Sequence, residues 1–388
     1  MKKIKNRRKR VKHFYDPPHL LLKQMVMILL YAWLVGWNKR AFLLWLLQVR
    51  HLIHAGAGAE QICCFGLNPH VVWEMTGRCN LKCIHCHAFA GAAACDELSK
   101  EEGNALIDQI AASGIRSLVF TGGEPLLRED LFELIEYAKS MGLSVFIATN
   151  GTLITKEVAK LLKEFDVGAV IGLDAMNPAI HDSIRGVKGA YDAVIAGIEN
   201  CVAEKLYVHL NIVASRPNFD EIARIIDYGI EIGAYSYFIY RFVPSGRGEA
   251  IRDYELGSAE FSALLDLMIE KQRAASAIII PIASPEYWAY VLQTRGIHGR
   301  RVIAFLGRFF GGCLAGKGMM YIKPNGDVWG CPFLPVPVGN VRKESLVRIR
   351  EHVEQVRSNR ECRGCVYEKV CGGCKTRDNV NCPLRGVS

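Results

Sequence analysis

Short apolar runs alternate with longer amphipathic stretches between residues 71 and 274 of this chain. Runs rich in Val, Ile, Phe and Tyr predict six strands, at 71–76, 117–121, 143–148, 168–173, 207–213 and 236–242. Apolar positions at helical spacing predict helices near 99–113, 128–141, 155–165, 189–204, 218–232 and 258–274. This alternation is typical of βαβ units and a parallel sheet, which makes the chain an α/β protein. Six units form three-quarters of a TIM-type barrel, with functional groups at the carboxyl ends of the strands.

The amino-terminal region has another pattern. Residues 19–37 and 41–49 are apolar on every side, and Asn38, Lys39 and Arg40 separate them. They predict two short helices. The uncharged stretch from Met25 to Trp37 has 13 residues, fewer than the roughly 18 that a membrane-spanning helix needs.

Charge is concentrated in the same region. The 388 residues carry a net charge of +9, and residues 1–54 hold twelve Lys or Arg against one Asp, a net charge of +11. The remaining 334 residues therefore sum to about −2. A body this close to neutral argues against an extended nucleic-acid surface and places the basic function in the amino-terminal arm. Residues 1–12 are mostly Lys and Arg, which predicts a disordered basic tail.

The chain contains fourteen cysteines. In a small secreted protein they would suggest disulfides, but in a long chain with C-x2-C clusters metal ligation is the better interpretation. Metal ligation by thiolates requires a reducing compartment.

Three of these cysteines follow the first predicted strand with the spacing C-x3-C-x2-C: Cys79, Cys83 and Cys86. Three thiolates from one loop bind three irons of a [4Fe-4S] cluster and leave the fourth iron open, because a closed cluster needs a fourth cysteine. A zinc knuckle with His87 as fourth ligand is the alternative. It would not explain the barrel pattern that follows.

This loop, with His85 before its last cysteine, resembles the signature of the radical S-adenosylmethionine (SAM) enzymes. The resemblance implies a partial (β/α)6 barrel in which SAM binds the open iron. One electron, supplied by reduced ferredoxin or flavodoxin, then cleaves SAM to a 5'-deoxyadenosyl radical that abstracts hydrogen from a substrate.

The resemblance also implies which residues bind SAM. Gly122, Gly123 and Glu124 end the second strand and match the segment that binds the SAM amino group. Asn150 lies in a Thr-Asn-Gly turn after the third strand, and Asn211 matches a polar SAM-contacting position. Asp174 matches the aspartate of a Ser-Leu-Asp-Gly segment, but this chain has Gly172 and Ala175 around it, so the usual hydroxyl contact is missing.

The carboxyl-terminal region resembles the SPASM domain, which carries auxiliary [4Fe-4S] clusters. By the pattern of that domain, one cluster would be bound by Cys362, Cys365, Cys371 and Cys382, and the other by Cys313, Cys331 and Cys374. The second set has three thiolates, so we expect its fourth iron to be open to water or substrate, or bound by a linker oxygen or nitrogen. We interpret Cys63, Cys64, Cys95 and Cys201 as packed residues, because an adjacent pair cannot readily ligate one cluster and the other two have no partner spacing.

Three interpretations of the apolar arm remain open. A signal peptide or a single span would export an iron–sulfur enzyme to an oxidising space. Two helices lying on the cytoplasmic face of the membrane avoid this conflict and are preferred. Helices packed on the protein's own core or on a partner are the third option.

The predicted organisation is a basic tail (1–18), a membrane-associating arm (19–54), a radical SAM barrel (71–275), a linker (276–312) and a SPASM domain (313–388). The sequence thus predicts a cytoplasmic, peripherally membrane-bound radical SAM oxidoreductase or maturase with three [4Fe-4S] clusters. The carboxyl-terminal run from Phe310 resembles enzymes that act on haem precursors and enzymes that modify peptides, so we expect a peptide or a tetrapyrrole substrate. A lipid or isoprenoid substrate and a non-catalytic iron–sulfur electron carrier are the alternatives.

Overall fold

The computed structural model describes residues 19–37, 60–64, 66–91, 96–275, 277–313, 315, 318–353, 364–374, 376 and 382–384. Its strands are β1 (Gln61–Cys63), β2 (Gly66–Asn68), β3 (His70–Glu74), β4 (Ser117–Thr121), β5 (Ser144–Thr149), β6 (Gly168–Gly172), β7 (Val208–Ala214), β8 (Ser236–Arg241), β9 (Ile278–Ile282), β10 (Met319–Ile322), β11 (Asp327–Trp329) and β12 (Pro337–Asn340). Within the described ranges, ten of them form one sheet in the order β12-β11-β10-β3-β4-β5-β6-β7-β8-β9.

The pairing in this sheet is mostly parallel. Strands β10 and β3 to β9 pair parallel with their neighbours, and β11 and β12 add an antiparallel edge. The six predicted strands correspond to β3 to β8 within two residues at each end. The predicted α/β fold with a partial barrel is therefore confirmed.

The sheet extends beyond the six predicted units on both sides. Strand β9 lies in the segment expected to be a linker, and β10 pairs with β3 at the other side of the barrel. Pro281 interrupts the apolar run of β9, which weakens a strand prediction. Strand β9 is the edge strand of the sheet among the described residues, and at such an edge the missing N–H of proline is tolerated.

The helices are α1 (His19–Val35), α2 (Lys100–Ala112), α3 (Leu131–Ser140), α4 (Lys156–Glu164), α5 (Pro178–Arg185), α6 (Ala190–Ala203), α7 (Ile222–Glu231), α8 (Ser258–Ala275), α9 (Tyr287–Thr294), α10 (Arg300–Leu306) and α11 (Leu346–Val353). Short 3-10 segments occur at Pro125–Leu127, Arg216–Glu221 and Gly246–Tyr254. Helix α5 was not predicted as a helix. Its start is set by Asn177, whose side chain accepts from two backbone N–H groups, and by Pro178 in the first turn.

Helix α1 packs against the protein itself. Met27 and Leu34 are 1% exposed, and the Tyr31 hydroxyl accepts from Gln272 and lies 3.2 Å from the carbonyl oxygen of Ile279. This inner face fits the core-packing interpretation rather than a helix that contacts only lipid.

The outer face of α1 differs, because at least half of each large apolar side chain on it is exposed; they are Leu22, Met25, Leu29 and Trp33. Among the residues that the structure describes, no helix is both long and apolar enough to cross a membrane. The basic tail, the second apolar run at 41–49 and Cys95 lie outside the described residues.

Candidate active site at the carboxyl ends of the strands

A cavity of about 300 Å³ opens at the carboxyl ends of the barrel strands. Its wall is mostly apolar and includes the aromatic rings of Phe146, Phe238, Tyr240, Phe242, Tyr321 and Phe333. Cys79, Cys83 and Cys86 all line it. The fold thus brings the three predicted cluster ligands to one wall of a single cavity.

Backbone contacts from distant elements fix the cluster loop. The N–H groups of Lys82 and Ile84 donate to the carbonyl oxygens of Arg185 and Ile184 at the end of α5. Arg247, after β8, donates through Nε to the Cys83 carbonyl (2.9 Å) and through Nη1 to the Ala90 carbonyl (2.5 Å). Arg247 was not among the site residues predicted from the sequence. These contacts give it a loop-positioning role.

The thiols of the loop are largely shielded from water. Burial raises the pKa of Cys79 to about 11. It also raises the pKa of Cys83 above its usual range, although the Arg185 guanidinium, 4.0 Å from Cys83 Sγ, acts in the opposite direction. Without a metal such thiols hold their protons, and iron binding releases them. A set of three convergent cysteines fits a [4Fe-4S] cluster with one iron left for a further ligand.

The Gly122-Gly123-Glu124 segment lies directly against this loop. A Cβ on Gly122 would lie 2.6 Å from the Thr76 carbonyl oxygen, and one on Gly123 only 2.2 Å from that of Arg78. The backbone N–H groups of Gly123 and Glu124 donate to those same two carbonyls. Glycine is therefore needed at both positions for the close approach of the two chains.

The Glu124 carboxylate is fully buried behind the cavity wall. It accepts from the Thr149 hydroxyl (2.7 Å), from the Asn150 N–H (2.8 Å) and from the Leu126 N–H (3.1 Å). These bonds tie the end of β4 to the turn after β5. Burial raises the pKa of Glu124 to about 7 in spite of the three hydrogen bonds.

Asn150 connects that turn to the cluster loop. Its Nδ2 donates to Asn80 Oδ1 (2.8 Å), and its Oδ1 accepts from the N–H and the hydroxyl of Thr152. Asn80 in turn donates to the Thr152 hydroxyl. Asn150 lines the cavity, but its side chain holds protein groups in place.

Asp174 forms a buried charge cluster next to the loop. Its Oδ2 lies 2.9 Å from His85 Nε2 and 2.9 Å from Arg185 Nε, and its Oδ1 accepts from the Val213 N–H. Burial alone would raise the pKa of Asp174, but the charges of Arg185 and His85 hold it well below its usual range. Arg185, which was not among the site residues predicted from the sequence, also lies on the cavity wall.

Asn211 differs from the other predicted residues. It lies on β7 opposite Gly172 and lines the cavity, and its buried Oδ1 has no hydrogen-bond partner in the described part of the chain. A buried amide oxygen without a partner is costly, so this atom is suited to accept a hydrogen bond from a ligand.

A polar group on the opposite wall joins β3 to β10. Glu74 accepts from the Tyr321 hydroxyl (2.9 Å) and from Lys323 Nζ (2.5 Å), and His87 Nε2 lies 3.1 Å from the Tyr321 hydroxyl. His87, the fourth ligand of the alternative zinc knuckle, is thus hydrogen-bonded to Tyr321 and packs edge-on against Phe333. The sequence next to Cys86 does not indicate that His87 would contact Tyr321 and Phe333, which lie more than 200 residues further along the chain.

The predicted auxiliary cysteines are only partly described. Cys313, Cys331 and Cys374 line a second, smaller cavity, and Phe333 lines both this cavity and the first. Cys365, Cys371 and Cys382 are described and pack at the edge of or inside the core, whereas Cys362 lies outside the described residues.

Comparisons with known proteins agree with this arrangement. The radical SAM superfamily profile matches residues 73–229, and that of an iron–sulfur cluster-binding domain, SPASM, matches residues 313–375. An AdoMet-dependent heme synthase from Methanosarcina barkeri is 33% identical over 319 residues, which cover 79% of this chain and 91% of that protein. An Fe-coproporphyrin III synthase from the same organism is 42% identical over 207 residues, covering 53% of this chain and 52% of that protein.

Among solved structures, Streptococcus suis SuiB bound to its precursor peptide SuiA superposes with a TM-score of 0.64 at 18% identity, covering 81% of this chain and 73% of SuiB. At this identity the likeness concerns the fold alone. The chain belongs to the radical SAM superfamily, and it is an enzyme of that superfamily with a carboxyl-terminal iron–sulfur cluster-binding domain.

Proposed function

We propose that this enzyme acts on a haem precursor, an iron-containing tetrapyrrole. The observation that carries the proposal is that the three cluster cysteines and a cavity lined by aromatic rings lie together at one barrel mouth. A flat, apolar macrocycle packs well against aromatic rings. Support also comes from the heme synthase relative, of which this chain covers nearly the full length.

In this proposal Cys79, Cys83 and Cys86 bind the radical SAM cluster. When bound, that cluster would supply the one-electron chemistry for reductive cleavage of SAM and so for hydrogen abstraction from the substrate. The apolar wall excludes water and stray hydrogen donors from the reaction.

SAM is bound by groups on the same wall. The backbone of Gly122 and Gly123 meets the SAM amine, and the negative charge of Glu124 behind it favours the ammonium form. Asn211 Oδ1 accepts a hydrogen bond from SAM. Arg185 replaces the hydroxyl that Gly172 lacks and pairs with the SAM carboxylate.

Asn150 and Asp174 act on SAM indirectly, because their side chains hold the β5 turn and the Arg185 guanidinium in place. Reduced ferredoxin or flavodoxin supplies the electron, and the SPASM cysteines hold the two auxiliary clusters.

The amino-terminal arm holds the enzyme on an anionic membrane surface. The exposed apolar face of α1 and the net charge of +11 in residues 1–54 support this, since apolar area and basic residues both favour such a surface. A protein on the cytoplasmic face also keeps its clusters in a reducing compartment.

The test is a turnover experiment under anaerobic conditions. Reconstituted enzyme is incubated with dithionite, SAM and iron coproporphyrin III, and 5'-deoxyadenosine and the mass of the porphyrin are followed. We expect 5'-deoxyadenosine to form in step with a change in porphyrin mass. The variant with Cys79, Cys83 and Cys86 all replaced by Ala is the control and should form neither product.

An enzyme that acts on a peptide would give another result. Its formation of 5'-deoxyadenosine would stay at the basal level with porphyrin and would rise when a precursor peptide is added. An electron carrier without catalytic activity would form no 5'-deoxyadenosine with either compound.

A further inference from the structure

We propose that Cys64 is the fourth cysteine ligand of the auxiliary cluster bound by Cys313, Cys331 and Cys374. All four thiols line one small cavity, together with Ala283, Pro285, Ala315, Phe333 and Thr376. The inference rests on the proposed auxiliary-cluster role of the other three cysteines. Cys64 precedes the barrel and lies outside the SPASM region in sequence.

Backbone pairing brings Cys64 next to Cys313. The Ile62 N–H donates to the Phe309 carbonyl, the Gly311 N–H donates to the Ile62 carbonyl, and the Cys64 N–H donates to the Gly312 carbonyl. Strand β1 therefore runs beside the segment that leads into Cys313, and the two cysteines lie at the same end of this pairing.

The segment that carries Cys374 joins them through a similarly close contact. The Cys313 N–H donates to the Cys371 carbonyl (3.0 Å), and a Cβ on Gly312 would lie 1.6 Å from the same oxygen. Glycine at position 312 is what allows the Cys371–Cys374 turn to approach. Three separate parts of the chain, which carry Cys64, Cys313 and Cys374, therefore meet at this cavity. Cys331, which follows β11, is the fourth cysteine on its wall.

The chemistry of the lining favours thiolate ligation. Cys64 and Cys331 are each 4% exposed and Cys374 is 8% exposed, so their sulfur atoms are shielded from solvent. Of the other residues on the wall, Thr376 has the only side-chain oxygen or nitrogen in the described ranges, and that oxygen lies 3.1 Å from Cys374 Sγ. A neutral hydroxyl is a weaker ligand for iron than a thiolate, and four cysteines are what a closed [4Fe-4S] cluster requires.

The adjacent Cys63 has a different environment. It is fully buried, and its Sγ lies 3.4 Å from the Gly66 carbonyl oxygen across the β1–β2 turn. Only one cysteine of the pair reaches the cavity, so the expectation that an adjacent pair cannot share a cluster does not apply to Cys64 alone.

A fourth thiolate changes the role of this cluster. A [4Fe-4S] cluster in which each of the four irons is bound by a cysteine has no open position for a substrate. The cluster therefore serves electron transfer. Phe333 lies on the walls of both cavities, which places the cluster beside the substrate cavity but separates it from substrate. Electron transfer past one side chain requires no direct contact.

The test uses the full-length protein with Cys79, Cys83 and Cys86 replaced by Ala, so that only auxiliary clusters contribute. In this background Cys64→Ala, Cys64→Ser and the matched control Cys63→Ala are compared by iron content and by electron paramagnetic resonance of the dithionite-reduced protein. Each sample is measured with and without added 2-mercaptoethanol. The signal that is lost in Cys313→Ala identifies the cluster in question.

We expect the background protein and Cys63→Ala to give one spectrum that does not respond to the thiol. Cys64→Ala should shift the g-values of the identified signal or lose it, and a retained signal should respond to the thiol. If Cys64→Ala does not fold, Cys64→Ser should retain iron with shifted g-values, because serine offers an oxygen ligand.

A spectrum of Cys64→Ala or Cys64→Ser identical to the background would overturn the proposal. If Cys313→Ala, Cys331→Ala and Cys374→Ala also left every signal unchanged, the auxiliary site itself would be wrongly assigned. The two failures are therefore distinguishable.

Discussion

The guanidinium of Arg185 fills the space beside Gly172. A Cβ at position 172 would lie 2.5 Å from Arg185 Nη2 and 3.1 Å from Nη1. Arg185 also pairs with Asp174 and lies 4.0 Å from Cys83 Sγ. The glycine that departs from the family pattern is thus the residue that admits a buried cation next to the cluster loop.

This relationship predicts the effect of Gly172→Ser. The added side chain should displace Arg185 and weaken SAM binding, and overpacking of this kind lowers the free energy of unfolding by about 1–3 kcal/mol. SAM titration and denaturant unfolding measure the two effects. Ala175→Gly, at the other departing position, is the control and should change SAM affinity little. Unchanged SAM affinity in Gly172→Ser would mean that Arg185 moves aside without consequence.

Replacing Glu124 tests whether the Gly-Gly-Glu segment after β4 binds SAM. In Glu124→Gln the amide would lose the negative charge and point an N–H group at one of the backbone or hydroxyl donors that the carboxylate now accepts from. Loss of the negative charge and of these charge-assisted bonds, each worth roughly 1.5–3 kcal/mol, should disturb the backbone that meets the SAM amine, so SAM affinity should fall by about tenfold to a hundredfold. Calorimetric titration gives the value. Thr149→Val, which removes only one donor, should have a smaller effect.

The raised pKa of Glu124 predicts a pH dependence of SAM binding. Burial raises this pKa to about 7, so the carboxyl is mostly protonated at pH 6 and mostly ionised at pH 7.5. The ionised form attracts the SAM ammonium, and the affinity should therefore rise by about fivefold between these two pH values. The affinity of Glu124→Gln should be flat over the same range. An equally steep rise in the variant would assign the titration to another group.

Arg247→Ala should loosen the cluster loop. The guanidinium donates to the Cys83 and Ala90 carbonyls. Its loss removes the Ala90 carbonyl's contact with Arg247, at a cost of about 1–3 kcal/mol, and leaves the Cys83 carbonyl with the Cys86 N–H. We expect lower iron occupancy of the Cys79–Cys86 site, measured by iron content and by the radical SAM cluster signal. Arg252→Ala, which removes an exposed arginine paired with Glu249, is the matched control. Full iron occupancy of the Cys79–Cys86 site in Arg247→Ala would show that Arg247 does not position the cluster loop.

Two substitutions on α1 separate folding from membrane binding. Leu29 is 52% exposed and Met27 is 1% exposed. Leu29→Glu should change the free energy of unfolding by no more than about 0.5 kcal/mol but reduce sedimentation with anionic vesicles. Met27→Ala should lower the free energy of unfolding by about 2–5 kcal/mol. Vesicle binding that is equal in Leu29→Glu and the unmodified protein would exclude the outer face of α1 as the contact.

Local pattern was enough for the six central strands and for the cluster loop. Alternation of apolar and polar residues depends on near neighbours in sequence, and the ligand spacing of a cluster loop lies within eight residues, so both are readable without knowledge of the fold. The positions of Gly122 and Gly123 directly after a strand followed from the same pattern, because parallel strands end at one side of a barrel.

Contacts between distant segments were decided only by the tertiary structure. The sequence did not reveal that Arg185 would enter the space beside Gly172, that Arg247 would bind the cluster loop, or that α1 would bury Met27. Nor did it reveal that Cys64 and Cys313, about 250 residues apart, would lie at one cavity. Each of these contacts joins residues that are far apart in sequence. Their proximity is set by the packing of the whole sheet and its helices rather than by any local run of residues.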